Sequence, residues 1–143
     1  MISGMSAKIK DGFTLIELLV VIALIGILST LVLANLNSAR ERSRDVARKS
    51  DLRNIQTALR LYYNDTGSFP ASLPAWGSEW LVGTTVYMNA LPKDPLPGQA
   101  YRYTQIDSDN YTIESCLENK SDDKCVTDAS FCPTSGCKYM VKP

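Results

Sequence analysis

Residues 12–17 read Gly-Phe-Thr-Leu-Ile-Glu and lead straight into an apolar run. That junction constrains the chain more than any other stretch, because Glu17 is the only ionisable side chain between Phe13 and Ala39. An isolated charge in hydrocarbon costs several kcal/mol unless it finds a partner. Leu18 to Ala34 is seventeen residues without a charge, and uncharged sequence continues to Ala39. At 1.5 Å rise per residue, the ~20 residues needed to cross a ~30 Å hydrocarbon core are available. The segment is therefore expected to be a membrane-competent helix carrying one carboxylate. The most direct partner for that carboxylate is a cation on another copy of the same chain.

A secretory signal peptide is the rival reading of such an N-terminus. The apolar stretch is too long for one, and only Ser38-Ala39 offers a weak small-residue cleavage site. A plain signal anchor fits better but leaves Glu17 without a role.

The residues Gly12-Phe13-Thr14-Leu15-Ile16-Glu17-Leu18-Leu19-Val20-Val21-Ile22 closely resemble the class III signal of type IV pilins and type II secretion pseudopilins. The resemblance implies cleavage by a prepilin peptidase between Gly12 and Phe13, with N-methylation of Phe13. Glu17 then becomes the fifth residue of the mature chain. Cutting ahead of the apolar run keeps the helix in the product and creates a cationic amine about one turn from Glu17. Between copies, that amine neutralises a buried Glu17, and such a pair fixes the axial stagger of neighbouring helices.

Charge along the chain is uneven despite a formal net charge of zero. Residues 40–53 carry six basic side chains against Glu41, Asp45 and Asp51, whereas residues 54–143 hold seven basic and ten acidic ones. The positive-inside rule, taken alone, would place residues 40–143 in the cytoplasm. The four cysteines, all between Cys116 and Cys137, imply an oxidising compartment instead, and the family resemblance agrees. A bacterial inner-membrane, single-pass protein with its C-terminal domain outside the cytoplasm is expected, later a periplasmic or extracellular filament.

The helix is expected to continue past the apolar segment. Residues 36–65 contain no proline or glycine, and Val46, Leu52, Ile55, Leu59 and Tyr62 fall on one amphipathic face. Gly67 and Pro70 mark its end. Tyr62 to Pro70 resembles the stretch that closes the long helix in pilins and pseudopilins. Leu91-Pro92-Lys93-Asp94-Pro95 followed by Tyr101-Arg102-Tyr103 is similar to a segment of the major pseudopilin of type II secretion, with Leu96-Pro97 where that pattern has an aromatic.

Tyr101–Ile106 and Asn110–Ser115 read as an antiparallel hairpin around Asp107-Ser108-Asp109, with Val82–Met88 and Lys138–Val141 as weaker strands. The expected fold is α+β and pilin-like: a long N-terminal helix packed against a small antiparallel sheet. The expected segments are a leader (1–12), a transmembrane and filament-core helix (13–36), an amphipathic continuation (37–65) and a cysteine-stapled β domain (66–143). Met1 and Met5 are both candidate start codons, and the leader length depends on which is used.

Cys116, Cys125, Cys132 and Cys137 allow three pairings. Cys116–Cys125 with Cys132–Cys137 is the expected set, because each closes a short local loop. A four-thiolate zinc site lacks the Cys-x-x-Cys knuckles such centres favour. Major pseudopilins bind calcium in a C-terminal loop, which makes Asp122, Asp123 and Asp128 the candidate ligands. No EF-hand spacing is present, a solvated acidic loop is the competing reading, and no cofactor is assigned. Residues 40–53 could meet DNA or anionic headgroups, but interleaved acids favour intrahelical and subunit–subunit pairing, and no nucleic acid is expected.

With no histidine, no phosphate-binding glycine loop and no nucleophile–base pair, a tethered enzyme is not expected. The expected function is a structural subunit of a helical envelope filament, either a type II secretion pseudopilus or a type IV pilus. Its partners would be other copies, minor pilins or pseudopilins, the prepilin peptidase, and an inner-membrane platform with its ATPase. The alternative is a membrane-anchored extracytoplasmic binding module that never polymerises.

Overall fold

A computed structural model describes residues 12–133 and 136–143, the side chains of 31–35 excepted. Helix α1 runs from Leu15 to Thr66 and is followed by strands β1 (Trp80–Val82), β2 (Thr85–Met88), β3 (Arg102–Gln105), β4 (Tyr111–Leu117), β5 (Val126–Thr127) and β6 (Cys137–Val141). The chain divides into two units between Ser38 and Ala39.

In the first unit, the described part of α1 exposes almost every side chain it has, from Leu15 through Leu28. Two of its hydroxyls are satisfied by the helix itself: Ser29 donates to the carbonyl of Ile25 at 2.7 Å and Thr30 to that of Ile27 at 2.7 Å. These two donors are therefore not left open to apolar surroundings. Among the described residues no helix is long and apolar enough to cross a membrane. The expected span over 13–36 includes residues 31–35, whose side chains lie outside the described set, and Leu18–Thr30 without them is too short.

The second unit is built on the C-terminal part of α1. Leu52, Ile55, Ala58 and Leu59 are buried there, at the spacing of one helix face. The helix stops where its sequence stops it. Gly67 takes φ +76°, and its N–H donates to the Tyr63 carbonyl at 2.8 Å, the αL cap that an L side chain resists. Val46 departs from the expected stripe: it is 67 % exposed, and Asp45 and Arg48 occupy the buried positions in that turn instead.

Two antiparallel sheets cover this face. The larger has strand order β3-β4-β6-β5, and the smaller is the β1–β2 hairpin. The expected β3–β4 hairpin forms with Arg102 opposite Glu114 and Gln105 opposite Tyr111. Val82–Met88 is not one strand. Gly83 at φ +62° turns the chain, and Trp80–Val82 folds back on Thr85–Met88. Alternation along β4 sends Tyr111, Ile113, Ser115 and Leu117 into the core with Tyr139 and Cys137 of β6. Aromatic rings close the end nearest the helix C-terminus: Tyr62 stacks on Trp80 at 5.5 Å, and Phe69 meets Tyr111 edge-on at 4.5 Å.

Candidate functional site

The N-terminal motif starts the helix by its own chemistry. Thr14 is the N-cap. Its hydroxyl accepts from the Glu17 N–H at 3.3 Å, while a Glu17 carboxylate oxygen accepts from the Thr14 N–H at 2.9 Å and from its hydroxyl at 2.7 Å. This reciprocal pair is a capping box, and it satisfies donors that the first helical turn otherwise leaves open. Sequence reasoning treated Glu17 only as a charge. The signal was present, because Thr-x-x-Glu ahead of an apolar run is the capping-box spacing. Glu17 borders a shallow apolar groove formed by Phe13, Ile16, Val20 and Val21. No other part of unit 1, among the described residues, covers that apolar surface.

Gly12 has a different status. Among the described residues, a Cβ placed on it meets no atom within 4 Å. No contact among the described residues calls for glycine at this position. Phe13 beside it is 76 % exposed.

In the second unit, one side of the basic stretch of α1 turns inward and is not solvated. Arg48 is fully buried and reaches three carboxylates. Its Nε and Nη2 fork onto Asp94 at 2.8 and 2.9 Å, and Nη1 donates to Asp45 at 2.8 Å and Glu118 at 2.7 Å. Arg44 holds the same Glu118 at 2.7 and 2.5 Å, and Lys49 pairs with Asp122. Asp45 also accepts the N–H groups of Glu118 and Asn119, at 2.9 Å each, so it caps the end of β4. Hydrogen bonds from Arg44, and then from Arg48, hold the Glu118 carboxyl below its ordinary pKa. Burial opposes charge on Arg48, yet its three anionic partners keep the guanidinium protonated. Intrahelical pairing was expected in 40–53; only Arg48–Asp45 is of that kind. The detectable signal was spacing, since Arg48, Leu52, Ile55 and Leu59 continue one stripe at i, i+4, i+7 and i+11.

The cysteines pair as Cys116–Cys132 and Cys125–Cys137, not in the local set expected. Strand order is the reason. β6 lies between β4 and β5, so Cys125, entering β5, arrives beside Cys137 of β6 and not beside Cys116 of β4. The turn after β5, closed by Cys132 N–H to Asp128 carbonyl at 2.9 Å, returns Cys132 to β4. Loop length alone had ignored both.

The candidate calcium ligands do not converge. Asp122 is taken by Lys49. Asp128 accepts from Lys138 at 2.8 Å and from Ser130 Oγ at 2.6 Å, which holds its carboxyl well below the usual range. Asp123 is exposed, and among the described residues no three acidic, cysteine or histidine side chains form a metal-holding group. On the outer sheet face, Glu114 sits between Arg102 and Lys138, and the Arg102 guanidinium lies 4.0 Å from the Phe131 ring centre.

The prokaryotic N-terminal methylation motif matches residues 8–33, the region that contains Gly12, Phe13 and Glu17. Type II secretion system core protein G of Pseudomonas aeruginosa is 32 % identical over 111 residues, covering 69 % of this chain and 76 % of that protein. The protein of the same name from Vibrio cholerae is 32 % identical over 105 residues, 66 % of this chain and 70 % of its own length. The type IV wide pilus major component PilA4 of Thermus thermophilus is 39 % identical over 73 residues, 51 % of this chain and 56 % of that protein. No solved structure matches. With a methylation motif on its capped helix and relatives of this identity and coverage, the chain belongs to the type IV pilin and type II secretion pseudopilin family.

Proposed function

We propose that the chain is the structural subunit of a helical envelope filament, processed by a prepilin peptidase and assembled through its N-terminal helix. The observation that carries this reading is the junction at Gly12. Among the described residues no contact calls for its glycine, Phe13 after it is exposed, and it abuts a capped apolar helix that no other described part of the first unit covers. An uncovered helix of this kind must pack into lipid or against other helices. Cleavage ahead of it releases an amine beside Glu17, and helical self-assembly is the heterologous, open-ended packing in which each copy offers one face to the next. The type II secretion relatives favour a pseudopilus, with a pilus as the close variant.

The chain acts in this reading as a structural element and not as a catalyst. It waits in the inner membrane, with residues 13–36 as the span and 66–143 outside the cytoplasm, until an assembly platform and its ATPase extract it. Minor pseudopilins complete the fibre. The test is the intact mass of the chain from cells with and without the prepilin peptidase, together with sheared-filament yield. Loss of residues 1–12 and gain of one methyl group on Phe13 are expected, with filaments only after processing. An uncleaved chain under both conditions defeats the reading and favours the non-polymerising anchored module.

A further inference from the structure

The ion pairs of α1 leave a residue behind. Arg44, Arg48 and Lys49 all have carboxylate partners, whereas Arg42, Arg53 and Arg60 make no ion pair among the described residues. At 100° per residue these three fall within about 20° of one another around the helix. Val46, Thr57 and Asn64 lie on the same outward side, and no acidic residue does. Val46 is two-thirds exposed there, beside a shallow groove lined by Ser50, Arg53 and Asn54. An exposed apolar contact flanked by unpaired guanidinium groups is a surface prepared for an anionic partner.

The same unit supplies that anion at its other end. Asp65, Glu79, Asp107 and Asp109 are all exposed and none is in an ion pair among the described residues. The fold gathers at least three of them at the helix C-terminus. Tyr87 donates its hydroxyl to Asp65 at 2.9 Å, Tyr63 donates to Asp109 at 2.6 Å, and Phe69 N–H bonds the Ser108 carbonyl at 2.8 Å. These tyrosines hold the carboxylates in place without neutralising them. The last turn of α1 contains no basic residue, so Asp65 stands at the negative end of the helix dipole. That arrangement is unfavourable in an isolated subunit and is relieved by a cation from outside.

We infer that the Arg42–Arg53–Arg60 face of α1 docks the Asp65–Asp109 end of a second copy of this chain. The inference rests on the filament reading and specifies which outer surfaces of that filament meet. Two copies displaced along α1 by roughly 18 Å bring Arg53 level with the partner's acidic end, and by roughly 35 Å bring Arg42 level with it, at 1.5 Å per residue. A basic stripe along the helix and an acidic cap at its end give a heterologous contact that repeats without closing. DNA and anionic lipid also suit arginines, but neither uses the acidic end.

The test is charge reversal in the full chain, expressed with its processing and assembly machinery. Arg53→Glu with Arg60→Glu is expected to lower sheared-filament yield by about tenfold, with chain level and leader cleavage unchanged. Asp65→Lys with Asp109→Lys is expected to do the same. The four-fold combination, which restores opposite signs across the contact, is expected to recover yield to within about twofold of wild type. Wild-type yield from the arginine reversals overturns this interface while leaving the filament reading intact. Loss of yield in both reversals without recovery in the combination also overturns it. So does binding of anionic vesicles or duplex DNA that the arginine reversals abolish while filaments persist. Failure of the processed wild-type chain to make any filament defeats the underlying reading instead.

Discussion

Arg48 places Nε and Nη2 on the two carboxylate oxygens of Asp94, 46 residues further along the chain, and both side chains are shut off from solvent. This fork ties α1 to the proline-rich loop ahead of β3. The third nitrogen, shared between Asp45 and Glu118, ties the same helix turn to the end of β4. One guanidinium thus fixes two long-range segments, where a small core could not do so by apolar area alone.

Removing that guanidinium should be among the most damaging single changes in the domain. Arg48→Met leaves Asp45, Asp94 and Glu118 facing one another in a buried site, and a loss of about 3–5 kcal/mol is expected. Arg48→Lys keeps a charge but not the fork, so it should fall between Met and wild type. Urea denaturation of the detergent-solubilised chain measures both. A loss below about 1 kcal/mol for Arg48→Met would contradict the network's role.

Glu17 caps the helix, and the assembly role proposed for its charge can be tested separately. Glu17→Gln retains an oxygen that accepts from Thr14, so the helix start should survive, whereas the charge is lost and filament yield should fall sharply. Thr14→Ala removes the other half of the box and should fray the first turn at a cost of about 1 kcal/mol while keeping the carboxylate. Amide exchange at Leu15–Leu18, read beside sheared-filament yield, separates the two effects. Normal filaments from Glu17→Gln would show that capping, not charge, is what assembly needs.

Peptide mapping without reduction should recover Cys116 linked to Cys132 and Cys125 linked to Cys137. The two bridges close intervals of 16 and 12 residues, so each should contribute about 3 kcal/mol. Cys125→Ser with Cys137→Ser should lower the melting temperature without altering leader cleavage. Recovery of Cys116–Cys125 peptides from native protein would refute the strand-order argument.

Stability should fall on the acid side. Arg44, Lys49 and Lys138 hydrogen-bond Glu118, Asp122 and Asp128 respectively, and hold each carboxyl pKa below its ordinary value. Because each folded value lies below the unfolded one, the stabilisation is complete above about pH 5 and is lost as pH falls through the folded values. With no histidine in the chain, the melting temperature should be nearly level from about pH 5 to 8 and drop below about pH 4. A melting series across that range checks the sign; a temperature that rises on acidification would contradict it.

The sequence by itself determined what is local. Apolar content and the absence of proline made α1 continuous to Thr66, Gly67 ended it, and turn residues set the β3–β4 hairpin. The methylation motif over residues 8–33 was equally legible, because it is a linear pattern of residues. Three features depended on segments far apart in the chain. Arg48 is core and Val46 is surface because Asp94 and Glu118 arrive at one side of the helix and not the other. The cysteines cross-pair because β6 inserts between β4 and β5. The acidic residues of the C-terminal loops cap turns and answer lysines that lie in other segments of the fold. Periodicity reports which face of an element is apolar; only the assembled sheet decides which charges that face must meet.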